Sequence, residues 1–187
     1  MKTIKILAVL FLAGTLSVSA QKKEINLSKS VVEWTGKKIG GTHNGEVKVK
    51  SAFIDFKNGE IVGGKVIMDM TSITNTDLAD EGYKQKLVGH LKSDDFFGVE
   101  KYPTALFEIT KSAKFKNGKA SVTGKLTIKG KTEEITVDVL KTDGQYSAQL
   151  EVDRAKFDVR YGSDSFFDNL GDKAINDIFT LDILLVL

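Results

Sequence analysis

The chain has 187 residues, with 27 Lys and Arg against 25 Asp and Glu, and it contains no cysteine. This length is typical of one domain that encloses a substantial core. The absence of cysteine excludes disulfides, thiolate metal sites and cysteine nucleophiles. Apolar residues make up 41% and charged residues 28% of the chain, which excludes a disordered chain and a multi-span membrane protein.

The first twenty residues have the pattern of a secretory signal peptide. Lys2 and Lys5 precede an apolar run at 6–16, and Val18-Ser19-Ala20 supplies the small residues of a cleavage site. The run is shorter than the ~20 residues of a helix that crosses a bilayer. We therefore predict a signal peptide at 1–20, a mature domain at 21–187 and a periplasmic or secreted location.

Removal of the signal peptide changes the charge balance. Without Lys2 and Lys5, 25 basic and 25 acidic residues remain, so the mature net charge is zero. A neutral domain has no electrostatic attraction to nucleic acid or to an anionic membrane surface. We therefore expect no nucleic-acid partner.

Turn dipeptides punctuate the mature chain at regular intervals. Asparagine or aspartate followed by glycine supplies the positive φ angles of tight β-hairpins. These pairs are Asn44-Gly45, Asn58-Gly59, Asn117-Gly118 and Asp143-Gly144, and Gly130 suggests a fifth turn.

The segments between the turns alternate between apolar and polar residues, as β-strands do. In the clearest one, at 119–129, Val122, Leu126 and Ile128 share one face, and Lys and Thr occupy the other. About eight such strands fit the chain. One apolar and one polar face per strand indicate an antiparallel sheet. We favour a closed barrel over a two-sheet sandwich because closure removes exposed edges.

One stretch has helical instead of strand periodicity. Between Asp77 and Leu91, apolar residues recur every four positions, with acidic residues at the start. We predict one short helix here, and we expect Tyr83, Leu87 and Leu91 to pack against the barrel or across one mouth.

No nucleophile elbow, zinc-binding helix or phosphate-binding glycine loop is present. His90 or Asp95 could act as a general base, but a helix-terminal histidine and a turn aspartate explain them more simply. We predict no cofactor and no metal. Ten phenylalanines lie outside the signal peptide, and they either fill the barrel or line a ligand cavity.

Short motifs along the chain are similar to those of a known family. They are Trp34-Thr35-Gly36, His90-Leu91-Lys92-Ser93, Asp95-Phe96-Phe97, Tyr102-Pro103-Thr104, the segment 122–130, Asp153-Arg154 and the pair Ile175 and Asp177. In this order, over residues 24–187, they resemble the YceI-like family.

The resemblance implies an all-β fold, an eight-stranded extended antiparallel lipocalin-like barrel with one short helix and an apolar lumen. It also implies binding of a polyisoprenoid or other long-chain amphiphilic lipid, without catalysis. Two alternatives stay open: an enzyme that acts on a lipid-like substrate in the same cavity, and a structural or interaction barrel with a filled core. Transient membrane contact and a homodimer are further possibilities.

Alternation and the resemblance together give a set of candidate ligand-binding residues. The predicted lumen residues are Trp34, Val47, Val49, Phe53, Met68, Phe107, Val122, Leu126, Ile128 and Phe157. His90, Phe96 and Phe97 are placed near an opening. A polar headgroup is expected to meet His90, Lys92, Arg154 or Tyr161.

Overall fold

The computed structural model describes residues 19–187, so the predicted signal peptide lies almost entirely outside the described residues. Within this range the chain forms one α-helix and ten β-strands. The helix is α1 (Glu81–Lys92). The strands are β1 (Gln21–Glu24), β2 (Val31–Lys38), β3 (Gly41–Glu46), β4 (Lys48–Lys57), β5 (Glu60–Asp69), β6 (Thr104–Ser112), β7 (Lys119–Ile128), β8 (Lys131–Thr142), β9 (Gln145–Asp153) and β10 (Ile178–Val186).

The strands form a single antiparallel sheet in the order β1-β4-β5-β6-β7-β8-β9-β10-β2-β3. Strand β3 lies at one end of this order, and it continues through Val47 directly into β4 near the other end. The chain itself therefore joins the two ends of the sheet and closes a barrel. The predicted all-β barrel is confirmed. It has ten strands instead of about eight because the short β1 and β3 also pair.

Four of the five predicted turns are confirmed. Residues 58–59, 117–118, 129–130 and 143–144 all have positive φ angles and connect adjacent antiparallel strands. The prediction of a turn at Asn44-Gly45 is wrong, because this dipeptide lies inside β3 and pairs with β2. Glycine is needed there because the backbone of Thr74 passes close to the strand: a Cβ atom on Gly45 would lie 2.0 Å from the carbonyl oxygen of Thr74.

That close approach is made by residues 73–78, which we call the strap. The strap runs along the free edge of β3, where the amides of Thr74 and Thr76 donate to the carbonyls of Glu46 and Asn44, each at 3.0 Å. The indole Nε1 of Trp34 also donates to Thr74 O at 3.1 Å. These bonds satisfy an edge that would otherwise be open.

The predicted helix is confirmed, although it starts later than expected. Asp80 caps α1 by accepting the Tyr83 amide at 2.8 Å, as aspartate does at helix N-termini. Leu91 is buried and Leu87 packs against the core. The expectation for Tyr83 is wrong: it is 65% exposed, because the face it occupies points away from the barrel.

A β-bulge in β4 changes which side chains face the interior. Val49 pairs with Met68 and Ser51 with Ile67, so Lys50 is an extra residue without an opposite partner. A bulge of this kind reverses the alternation of the residues that follow it. Ile54 therefore points inward, and Phe53 lies on the outer face under the ammonium of Lys22, 3.8 Å from its ring centroid.

Candidate functional site

The barrel encloses an apolar cavity of about 210 Å³. Side chains from nearly every strand form its wall, together with residues from α1 and from the long β5–β6 and β9–β10 connections. An engineered apolar cavity of about 150 Å³ stays dry and binds benzene, so a space of this size accepts apolar guests.

The structure brings ten of the fifteen candidate residues together on this wall. They are Trp34, Val47, Met68, Phe96, Phe97, Phe107, Val122, Leu126, Ile128 and Arg154. Their ligand contacts stay a prediction. The remaining five, Val49, Phe53, His90, Phe157 and Tyr161, lie off the wall.

Val49, Phe53 and Phe157 were predicted in the lumen, whereas His90 was predicted near an opening and Tyr161 at the headgroup. Phe53 follows the bulge and faces outward, whereas Val49 and Phe157 are buried in the surrounding core. His90 and Tyr161 pack against each other, with ring centroids 4.3 Å apart. Lys92, the other headgroup candidate, lies in the last turn of α1 and is also off the wall.

Sequence reasoning missed a large part of the wall on β10 and β2. Strand β10 contributes Phe179, Leu181, Ile183 and Leu185, and β2 contributes Val32. The alternation of the four β10 residues was the available signal. The continuous apolar run at 183–187 obscured it.

Aromatic rings close the end of the barrel at which the long connections lie, which we call the loop end. Phe96 contacts Phe97 edge-on with centroids 5.0 Å apart, and Phe97 continues to Phe179 at 6.4 Å. The His90 ring adds an edge contact to Phe96 at 5.7 Å. Such offset pairs stabilise a packed cluster beyond the area that they bury.

Arg154 holds the loop end together from inside. Its side chain is only 2% exposed. Its guanidinium donates to four backbone carbonyls, those of Val159, Tyr161, Ile175 and Asn176, at 2.8–3.2 Å. The Nη2 atom also lies 3.1 Å from Asp177 Oδ1. The two side chains form an ion pair, but the geometry of this contact is not that of a hydrogen bond. Four of the five N–H donors of Arg154 are therefore used by backbone carbonyls, and the fifth is directed at Asp177.

The carboxylate of Asp177 is also held by two serine hydroxyls. Asp177 Oδ2 accepts hydrogen bonds from the hydroxyls of Ser163 at 2.8 Å and Ser165 at 2.6 Å. Burial lowers the pKa of the Arg154 guanidinium, and the charges of Asp177 and Asp153 oppose that shift. Arginine still carries its charge at any physiological pH, so Arg154 and Asp177 form a permanent clamp on the 155–177 connection.

The opposite end carries the hairpins at 58–59, 117–118 and 143–144, and we call it the hairpin end. Phe56 and Phe115 flank Tyr146, with ring centroids 6.1 and 6.2 Å from it. Tyr146 is only 4% exposed, and this burial raises the pKa of its phenol. The cavity therefore has an aromatic cluster at each end.

A polar pair fastens the strap beside the wall. Asp77 Oδ2 lies 2.8 Å from Nδ1 of His43, and Oδ1 accepts the Asn44 amide at 2.9 Å. Burial alone would raise the pKa of Asp77, but hydrogen bonds from Asn44, His43 and Asn75 outweigh it and hold that pKa below its ordinary value. The pair binds the strap to β3.

The wall of the cavity is almost uniformly apolar. Arg154 is the one charged residue among the wall residues in 19–187, and neither a carboxylate nor an imidazole lines the space. Over the same range, His, Asp and Glu form no cluster of three or more that could hold a metal ion. None of the helices described combines the length and hydropathy of a membrane-crossing segment.

Comparisons with known proteins agree with this geometry. A family model described as a YceI-like domain matches residues 23–187. The structure of BcnA from Burkholderia cenocepacia superposes with a TM-score of 0.69 at 28% identity, covering 87% of this chain and 99% of that one. A polyisoprenoid-binding domain from Saccharophagus degradans has a TM-score of 0.60 at 12% identity, covering 89% and 97%, and this likeness concerns the fold alone.

Relatives of known sequence match over shorter stretches. A UPF0312 protein of Vibrio parahaemolyticus is 32% identical over 99 residues, which is 52% of each chain. A UPF0312 protein of Pseudomonas aeruginosa is 39% identical over 70 residues, 37% of this chain and 36% of that one. The chain thus spans about half the length, or less, of the curated relatives it matches.

Proposed function

This chain belongs to the YceI-like family, and we propose that it is an exported protein that sequesters or carries a polyisoprenoid or other long-chain amphiphilic lipid in its barrel. The observation that carries the proposal is the apolar cavity, whose wall is almost entirely aliphatic and aromatic. The Saccharophagus domain, which is named for polyisoprenoid binding, has the same fold. The predicted signal peptide supports export.

The driving force for such binding is the removal of a hydrocarbon tail from water. Each Å² of apolar surface that is buried contributes about 25 cal/mol, so a tail needs few polar contacts. The cavity of about 210 Å³ is smaller than the ~300–1,000 Å³ of a pocket that encloses a drug-sized ligand. A long tail therefore requires the wall to widen, and adaptable side chains such as Met68 and Met70 on that wall favour this.

Mass spectrometry of the natural cargo tests the proposal. Protein purified without detergent from its own host is expected to release an apolar lipid on extraction with organic solvent. The variant Leu126→Trp, which fills the cavity, should carry much less lipid. Lys125→Trp, on the adjacent outward-facing position, should carry as much as wild type. Repeated extraction of wild type without any lipid would overturn the proposal.

The enzyme alternative gains no support from the wall, since His90 and Asp95 both lie off it. Replacement of His90 by alanine distinguishes the two functions. For a carrier, we expect the tail affinity to change by no more than about 1–2 kcal/mol, the scale of one or two hydrogen bonds. An enzyme that used His90 as its base would lose turnover of a lipid substrate while retaining the affinity. The filled-core alternative conflicts with the cavity itself.

Transient membrane contact is part of this proposal. The 160–170 segment at the loop end exposes Tyr161, Phe166 and Phe167, the last at 49%. Aromatic rings of this kind suit the membrane–water interface. Sedimentation with phosphatidylcholine vesicles tests the contact: Phe166→Ser combined with Phe167→Ser should abolish co-sedimentation.

A homodimer is also proposed, through the open outer edge of β1, and analytical ultracentrifugation tests it.

A further inference from the structure

The barrel wall contains an incomplete seam between β8 and β9. The two strands pair only from Val139 opposite Ala148 to Thr142 opposite Gln145. The other edge of β8 pairs with β7 along 131–140, and β9 pairs with β10 along its full length. In the part of the chain that the structure describes, residues 131–138 and 149–153 therefore have no strand partner across the seam. We call this gap between β8 and β9 the window.

The window has defined borders. At the hairpin end it stops at the last backbone pair, Val139 with Ala148. At the loop end the 3-10 turn Arg154–Phe157 continues from β9 and contacts β8. The window therefore begins beside Val137 and Leu150, both of which line the cavity, and extends toward the loop end.

An outer groove adjoins the window and includes its first unpaired residues, Asp138 and Gln149. This groove on the outer surface is lined by residues of β2, β7, β8, β9 and β10, and Ser147, Ala148 and Ile183 border both the groove and the interior cavity. Ser147 and Ala148 belong to the paired part of the seam, directly beside its first unpaired position at Asp138 and Gln149. The groove presents apolar surface to solvent at Leu140, which is 51% exposed, and at Val31.

The two ends of the barrel offer no comparable route. The loop end is packed with Phe96 and Phe97 and is clamped by Arg154 and Asp177. The hairpin end is packed around Tyr146. Opening either end requires an aromatic cluster to separate. In the window, by contrast, no backbone hydrogen bonds between β8 and β9 have to break, so only side-chain contacts oppose a local opening.

We propose that the β8–β9 seam is a lateral portal through which an uncharged amphiphile with a single apolar tail enters and leaves the cavity. The tail slides between Val137 and Leu150, and the polar group rests in the outer groove. This inference rests on the proposed function and adds to it the route and the charge class of the ligand.

The charges around the groove favour an uncharged polar group. Glu33, Asp138 and Asp182 line it with a single cation, Lys119. Lys119 Nζ is already paired with Asp138 at 2.8 Å. Gln149, whose Nε2 donates to Asp182 at 2.8 Å, supplies a neutral amide. An anionic headgroup would meet net negative charge here and would be repelled.

A cysteine staple across the seam tests the portal. Because the natural chain has no cysteine, Asp138→Cys with Gln149→Cys introduces only this pair, at the first unpaired position. The matched control, Ser121→Cys with Asp138→Cys, shares one cysteine and spans the complete β7–β8 ladder, where these residues are opposite each other. A disulfide, or a short bis-maleimide where oxidation does not join the thiols, forms each staple, and intact mass verifies it.

The probe is all-trans-retinol, an uncharged isoprenoid alcohol. Its uptake is followed by stopped-flow energy transfer from Trp34, the only tryptophan in the chain. Because a blocked conformational step limits association, the seam staple should slow uptake by about tenfold or more, and the control staple by less than about twofold. Reduction of the disulfide should restore the rate, which also shows that the double variant folds. Retinoic acid, which is anionic, should bind more weakly than retinol.

The possible outcomes distinguish a failure of the portal from a failure of lipid binding. Equal uptake rates in the seam-stapled and control-stapled proteins would overturn the portal while leaving lipid binding intact. Retinoic acid that binds as tightly as retinol would overturn the charge class of the ligand. A wild-type protein that takes up neither retinol nor any extracted host lipid would overturn the proposed function, and the portal with it.

Discussion

Arg154 shows how a buried charge can stabilise a barrel end without contacting a ligand. All of its donors are directed at backbone carbonyls of the 155–177 connection or at Asp177. Removing one partner of a buried ion pair leaves the other charge without compensation. The conformation of this connection therefore depends on one side chain.

We expect Arg154→Met to lower the free energy of unfolding by about 3–5 kcal/mol, the range for breaking a buried pair. Urea denaturation followed by circular dichroism measures the change. The matched control is Arg160→Met, since Arg160 pairs with Asp158 on the surface of the same connection, and it should shift stability by no more than about 0.5 kcal/mol. Similar losses in the two variants would contradict the clamp.

Asp77 should make the contribution of the strap to the free energy of unfolding depend on pH. Its pKa is lowered in the folded chain, so its carboxylate stabilises the fold at every pH above its ordinary value, and that contribution disappears as the pH falls through the folded pKa. Asp77→Asn should therefore be less stable than wild type by about 1–2 kcal/mol near pH 7. The difference should shrink below about pH 4. Urea denaturation from neutral to acid pH measures it, and a constant difference over that range would contradict the assignment.

At the scale of elements, the strap and β3 depend on the absence of a side chain at Gly45. A Cβ atom there would overlap the backbone of Thr74 and Asn75. Gly45→Ala should displace the strap and lower stability by about 1–3 kcal/mol, as overpacking does. Faster hydrogen exchange at 73–78 would locate the change.

The control for this substitution lies in α1. Gly89 has no atom within 4 Å of its would-be Cβ, and it is exposed inside a helix. Gly89→Ala should stabilise the protein by up to about 1 kcal/mol, because alanine has the higher helix propensity. If Gly45→Ala were equally harmless, the close approach between strap and strand would not exist in solution.

The elements that were predictable from sequence are those with local causes. Positive φ at the Asn-Gly and Asp-Gly dipeptides specifies three hairpins, and strict alternation in β7 specifies its inner face. Phe53 was placed inside because nothing in the sequence marks Lys50 as a bulge. Asn44-Gly45 was read as a turn because the reason for its glycine lies about 30 residues away, at Thr74.

The candidate site was predictable to a similar extent. Strand alternation led to wall residues such as Val122 and Leu126. The role of Arg154 was not predictable, because its partners are backbone carbonyls 5 to 22 positions away, and any residue can supply a carbonyl. The seam could not be predicted either, since β8 and β9 have ordinary strand sequences and only their register shows where pairing stops.

At the scale of the whole molecule, a bound lipid should stabilise the barrel in proportion to occupancy. Because binding to the folded state alone adds RT ln(1 + [L]/Kd), a lipid at about 100 times its dissociation constant contributes about 2.7 kcal/mol. Urea denaturation with and without retinol measures this gain. The cavity-filling Leu126→Trp variant should show almost none of it, whereas Lys125→Trp should match wild type. A gain that is the same in all three proteins would place the ligand outside the barrel.

The pairing of β2 with β10 has a consequence for biosynthesis. Thr35 of β2 lies opposite Thr180 of β10, so the pairing of β2 is completed only after β10 has been synthesised. Non-local strand pairings of this kind form slowly. Until they form, both strands have unpaired edges that are prone to aggregation. One edge of β2 therefore stays unpaired in the nascent chain until β10 has emerged. We expect holdase chaperones to bind the unpaired strand edge during this delay and to prevent aggregation.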